Sequence, residues 1–355
     1  MERKKYIDNI RWITVALVVV YHVIFIFNGT GTLGGVGPLC PVQYQDAVLY
    51  LLYPWFMLLL FVVSGMCARF YLGRHTRKEF IRERTVKLLV PSTLGVVVFG
   101  WILGYFNMKI GGAFDSMGAV PKPVLFVIMC LSGTGPLWYI QLLWVFSLLL
   151  TVFRRVEKDR LSTLCAHTTL PVLLALTVVI YGAAQIGNVP VVVVYRFGIY
   201  GAGYLLGYLV FAHDEVMTRL EKAWLPLTAA ALTLGAAFTA AFWEQSYAGH
   251  EVLDTPLCNV FAWIAVLAVL AFMKKWGGFD NAFARWMTRK SWGLYLFHYL
   301  PLAACAYYIY AMPIPAVLKY LLTAASAVAG GVLLYDIISR IPVLRWCVCG
   351  ISRKK

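Results

Sequence analysis

YIDNIRWITVALVVVYHVIFIFNG (residues 6–29) is an apolar run with Asp8 and Arg11 at one end and His22 inside it. At 100° per residue, the eleven steps from Arg11 to His22 leave a phase difference of about 20°. The two side chains therefore share a helix face, roughly 16 Å apart along the axis. That face reads Asp8, Arg11, Val15, Val18, His22. With the bilayer core beginning near Ile10, His22 lies about 18 Å into about 30 Å of hydrocarbon. An ionisable group at such depth turns toward other protein or a water-filled path. Taken singly, Arg11 also reads as an interfacial anchor and His22 as a hydrogen-bonded packing residue.

The rest of the chain has the same character. Of its 355 residues 61% are hydrophobic and 13% charged, and the mean hydropathy of +0.76 excludes a soluble domain. Apolar stretches long enough to span fall at 10–28, 47–72, 88–107, 136–153, 169–187, 191–212, 223–243, 255–273, 291–310 and 315–338. The predicted fold is all-α: a polytopic integral membrane helical bundle of about ten transmembrane helices, one domain over 1–355 with short basic tails. The first run is too long for a signal h-region and has no small-x-small cleavage site, so it reads as a retained span.

Lys and Arg set the expected orientation. Arg3, Lys4 and Lys5 precede span one; Arg74 to Lys87 follow span two; Arg154, Arg155, Lys158 and Arg160 follow span four. Arg219 and Lys222 follow span six, Lys274 to Lys290 follow span eight, and Arg340, Arg345, Arg353, Lys354 and Lys355 close the chain. The alternate loops hold only Lys109 and Lys122, which predicts a cytoplasmic-membrane protein with both termini cytoplasmic. The net charge of +15 is thus a topology signal and a contact for the lipid bilayer, with no pattern for nucleic acid. No Cys/His set has metal-ligand spacing. Cys40 and Cys130 fall on the predicted outer side, where they either pair or stay free.

Further candidates follow in chain order. Ser64 and Gly65 suit close helix packing. In RHTRKEFIRERTVKLLVP, Arg84 and Lys87 are neighbours on a helix face and read either as lipid anchors or as phosphate ligands. The apolar residues after Pro123 are too few to cross and predict an interfacial or re-entrant segment. Trp138 and Tyr139 open span four as interface-belt residues or as faces for sugar stacking. Arg196, about five residues into span six, either snorkels or lines the outward half of a cavity. His298, about eight residues into span nine, is a packing or site residue.

The opening Asp-x-x-Arg, ten residues and His is joined by FVVSGM (61–66), FIRERTVKLLVP (80–91) and SWGLYLFH (291–298), with GPLWYIQLL (135–143) and YGAGYLLGYL (200–209). This ordered set resembles the acyltransferase-3 family of membrane acyltransferases. The resemblance implies O-acylation of a carbohydrate or envelope molecule, with acetyl or succinyl the familiar groups; YIDNIRW is similar to glucan-modifying members. It implies acyl-CoA as donor substrate, no permanently bound cofactor, and a donor contact at an Arg-x-x-Arg pattern whose second position here is Lys87. The short tail leads us to expect no fused outer catalytic domain, hence direct transfer or a separate extracytoplasmic partner protein.

An acyl transfer needs a base, oxyanion stabilisation and a donor site. His22 is the expected base or the transient acyl carrier. Arg11 lies too far from it to touch the same carbonyl, and is assigned to donor phosphate or to holding Asp8. In this scheme donor phosphates meet Arg84, Lys87 or Arg11, the thioester reaches His22, and the acceptor arrives from outside. Two other classes remain open: a secondary transporter, for which no matching interrupted helices are seen, and a non-enzymatic membrane binding protein.

Overall fold

Long Leu-, Val-, Ala- and Phe-rich stretches must satisfy their backbone polar groups internally in lipid, and the computed structural model shows them doing so as helices. It describes residues 4–189 and 192–351; Arg3, Arg353, Lys354 and Lys355, counted above as topology signals, lie outside these. The principal helices are α1 (Lys5–Phe25), α2 (Phe56–Leu72), α3 (Arg77–Ile110), α4 (Lys122–Ser132), α5 (Trp138–Glu157) and α6 (Leu170–Ala184). They continue with α7 (Phe197–Phe211), α8 (Trp224–Phe242), α9 (Pro256–Trp276), α10 (Ala282–Phe297), α11 (Tyr299–Ile309) and α12 (Ala316–Ile338).

The protein is a helical polytopic membrane bundle. Among the described residues, seven helical stretches are long and apolar enough to cross a bilayer: α1, Tyr44–Leu72, α3, Gly135–Glu157, α8, α9 and α12. Helices α4, α6, α7 and α11 are apolar but shorter. The segment after Pro123, expected to be too short to span, is the short helix α4.

The chain forms two compact units. The first takes the residues up to Thr14, Tyr50–Ile81 and Val145–Arg289. In its largely buried helix α9, the fully buried Trp263 donates from Nε1 to the Leu173 carbonyl at 2.8 Å. Helices α2 and α7 approach at their backbones. A Cβ on Gly65 would run into the Tyr204 carbonyl, and one on Gly207 into the Val62 carbonyl. The close-packing role expected of Gly65 is therefore what the structure shows.

The second unit takes Val15–Leu49, Arg82–Trp144 and the chain from Lys290 onward. Helix α3 carries π-helical turns at Thr85–Leu89 and Val96–Gly100. The first of these precedes Pro91, whose missing N–H cannot serve the Lys87 carbonyl. Val90, Phe297, Ile338, Cys347, Val348 and Cys349 form an apolar cluster that ties the chain's last described turn to α10. Cys40 is exposed and Cys130 buried, and both are free thiols.

Candidate functional site

Within the second unit the chain brings two histidines together. His22 lies in the last turn of α1 and stays partly accessible, with Val18 and Val23 buried beside it. His298 is fully buried at the break between α10 and α11. The break has a local cause: Pro301 lacks the N–H that would bond the Phe297 carbonyl, and its ring crowds that carbonyl. Expected eight residues into a span, His298 instead follows a helix that already begins at Ala282.

The hydrogen bonds fix how these rings are protonated. His298 Nδ1 sits 2.9 Å from the Leu294 carbonyl oxygen and 2.9 Å from that of Tyr295. Both only accept, so Nδ1 carries the hydrogen and Nε2 keeps its lone pair. That Nε2 is 3.0 Å from His22 Nδ1, which must therefore be the donor. The Val18 carbonyl also bonds the His22 ring. The hydrogen of His22 is thus held on Nδ1, and its Nε2 is the nitrogen with a free electron pair.

Aromatic rings continue from this pair. Tyr299 lies edge-on to His22 at 4.8 Å between centroids, and Tyr21 at 5.1 Å. Along α10, Trp292, Tyr295 and His298 recur every three residues and share a face. Trp292 stacks with Tyr295 at 6.3 Å, and Tyr295 meets the His298 ring at 6.4 Å. The Tyr295 hydroxyl donates to the Pro136 carbonyl, and its ring contacts Tyr139 at 5.8 Å. Lys87 places its ammonium 5.8 Å from the Trp292 ring centre. Lys87, Tyr139, His22 and His298, named from the sequence, are thus linked through Trp292 and Tyr295, which it did not single out. Their signal was the spacing of three within SWGLYLFH.

The other candidates are placed as follows. Arg84 and Trp138 are half-buried in the second unit, Trp138 lying 6.5 Å from Tyr139. In the first unit Arg11 is exposed, and Asp8 lines a cavity with Lys5, Asn9, Asp280, Arg285 and Arg289. Hydrogen bonds from Lys5 and Arg285 hold the exposed Asp280 carboxyl below the usual carboxylate range.

Arg196 corrects its expected place. It precedes α7 instead of lying within it, and forms an antiparallel bridge with Asn188. It does not snorkel. It is 2% exposed, donates from Nη2 to the Leu253 carbonyl at 3.2 Å, and lies 3.8 Å from Asp254. Among the described residues, no group of three or more metal-ligating side chains is present.

A family model described as an acyltransferase domain, that of the acyltransferase-3 family, matches residues 4–336. No curated protein and no solved structure matches the chain.

Proposed function

This chain belongs to the acyltransferase-3 family and is an integral membrane acyltransferase; on that premise we propose that it moves an acyl group, acetyl or succinyl, from cytosolic acyl-CoA to a hydroxyl of an extracytoplasmic carbohydrate or envelope molecule. The observation that carries this reading is the His298–His22 hydrogen bond, which leaves His22 Nε2 as the proton acceptor.

In the proposed reaction Nε2 takes the acceptor's hydroxyl proton as the oxygen attacks the thioester carbonyl. The tetrahedral intermediate collapses with cleavage of the C–S bond, and the imidazolium returns the proton to the departing thiolate. His298 positions His22: as charge develops on His22, the bond from Nδ1–H to His298 Nε2 becomes charge-assisted and strengthens. Trp292, Tyr295 and Tyr139 offer an aromatic lining for the substrates. Half-buried Lys87, with Arg84 three residues before it, supplies positive charge for donor phosphates. In this reading both termini face the cytoplasm and residues 1–355 act as one acyltransferase domain, with direct transfer or hand-over to a separate outer protein.

Mass spectrometry of envelope glycans from cells with and without the intact chain tests this. A mass difference of one acetyl or succinyl group per acceptor is expected. Identical glycans, together with uptake of an unmodified solute into vesicles, would instead support transport.

A further inference from the structure

Within the second unit, the last described residues pack on the Lys87–Trp292 pair. A short helix, α13 (Pro342–Cys347), is closed by the residues that follow it: the Gly350 N–H donates to the Trp346 carbonyl and the Ile351 N–H to the Arg345 carbonyl, both at 3.1 Å. Gly350 takes a φ of +64°, a left-handed conformation open to glycine at no steric cost. It also has no room for a side chain. A Cβ there would stand 2.8 Å from both the Val86 and the Lys87 carbonyl oxygens, in the π-helical turn Thr85–Leu89. One residue earlier, the Cys349 carbonyl accepts from Trp292 Nε1 at 3.0 Å. Two successive tail residues therefore touch both members of the pair, whose ammonium and ring stand 5.8 Å apart. The tail is anchored, with Cys347, Val348 and Cys349 buried and the Cys347 carbonyl seated so close to Gly95 of α3 that a Cβ would meet it at 2.8 Å.

We propose that residues 342–351 are a positioning strap that sets the Lys87 ammonium and the Trp292 ring for the acyl donor, an inference that rests on the acyl-CoA reading above. The strap lies beyond residue 336, where the family match ends. Lysine carries its charge on a flexible four-carbon stem, and a π turn departs from the regular helical ladder, so neither fixes the ammonium by itself. Backbone packed on the carbonyls of that turn, and a carbonyl that holds the indole N–H, fix both ends of the cation–π contact. Cys349 and Gly350 act through Lys87 and Trp292 and need touch no substrate.

The full chain in nanodiscs provides the test, with two variants. Gly350→Ala puts a methyl group against the two carbonyls, and Trp292→Phe keeps a ring for Lys87 but takes the donor from Cys349. Acetyl-CoA KM should rise about fivefold in each with kcat within about twofold, the scale of one weakened cation–π contact or hydrogen bond. Acetyl-pantetheine, which has no phosphate, should keep its KM. In a Lys87→Gln background Gly350→Ala should raise the acetyl-CoA KM no further, because effects that act through one residue are not additive. Hydrogen exchange of the Thr85–Leu89 amides should quicken in Gly350→Ala while that of α9 stays at the wild-type rate.

Wild-type acetyl-CoA KM in both variants would overturn the strap, and so would a KM that rises equally for both donors or by the same factor without Lys87. If Gly350→Ala does not fold, Trp292→Phe and its double variant with Lys87→Gln decide by the same criteria. A wild type that turns over neither donor would sink the acyl-CoA reading itself. Hydrogen exchange would then decide the strap, an unchanged rate at Thr85–Leu89 overturning it.

Discussion

Replacing His298 by Ala removes the acceptor that holds His22 in its reactive tautomer. The bond is 3.0 Å long and joins the fully buried His298 to His22. In the resting state a neutral hydrogen bond of this kind contributes about 1 kcal/mol, and one from a charged donor about 1.5–3 kcal/mol. Only the difference, on the order of 1–2 kcal/mol, acts on the barrier, because His22 is charged only as the reaction proceeds. At about 1.4 kcal/mol per factor of ten, kcat should fall about 5- to 30-fold with KM nearly unchanged. The assay is acceptor-dependent release of free thiol from acetyl-CoA by the purified chain. His298→Gln, whose amide oxygen can accept from His22 Nδ1, should retain more activity than His298→Ala. Wild-type kcat in His298→Ala, or a loss confined to KM, would refute the positioning role.

Three further outcomes concern the scaffold. Arg196→Met removes one donor from the Leu253 carbonyl, which keeps Asn259 Nδ2 at 3.0 Å, and the cation from Asp254, which keeps Asn188 Nδ2 at 3.3 Å; the cost should be about 1–2 kcal/mol, read as a lower thermal midpoint in detergent. Gly65→Ala drives a methyl group against the Tyr204 carbonyl and should destabilise the first unit by about 1–3 kcal/mol, lowering folded yield before it alters donor KM. Partial burial pushes the Asp159 carboxyl up, but hydrogen bonds and charge from Arg69 and Arg154 outweigh this and hold it below the usual range. Its folded-state pKa being the lower one, this contribution is complete above the unfolded value of about 3.9 and is lost as pH falls through the folded value. The half-exposed pair contributes at most about 1 kcal/mol, so the midpoint gap between wild type and Asp159→Asn should be small near neutral pH and shrink as acid protonates the carboxyl; a gap independent of pH would refute it.

The helical membrane class was legible because uninterrupted apolar runs leave few alternatives, and residue 22 stood out because a histidine inside such a run is costly. Its partner was legible only in kind. His22 and His298 are 276 residues apart, and nothing in either helix's pattern specifies which buried group the other meets. The tautomer depends on carbonyls near a proline-induced break, a detail that hydropathy averages away. Arg196 was misplaced for a related reason. The apolar run before it scores as membrane-spanning, and hydropathy does not register that Arg196 bridges Asn188 ahead of the helix. Trp292 and Tyr295 did not stand out within SWGLYLFH, because only the fold aligns them with His298 and Lys87.

The most direct measurement compares wild type with His22→Ala for acyl-CoA cleavage in the presence and absence of a hydroxyl acceptor. With His22 Nε2 as the proton acceptor, acceptor-dependent thiol release should disappear in the folded variant, because alanine offers no base for the hydroxyl proton. Full acceptor-dependent turnover by His22→Ala would contradict it.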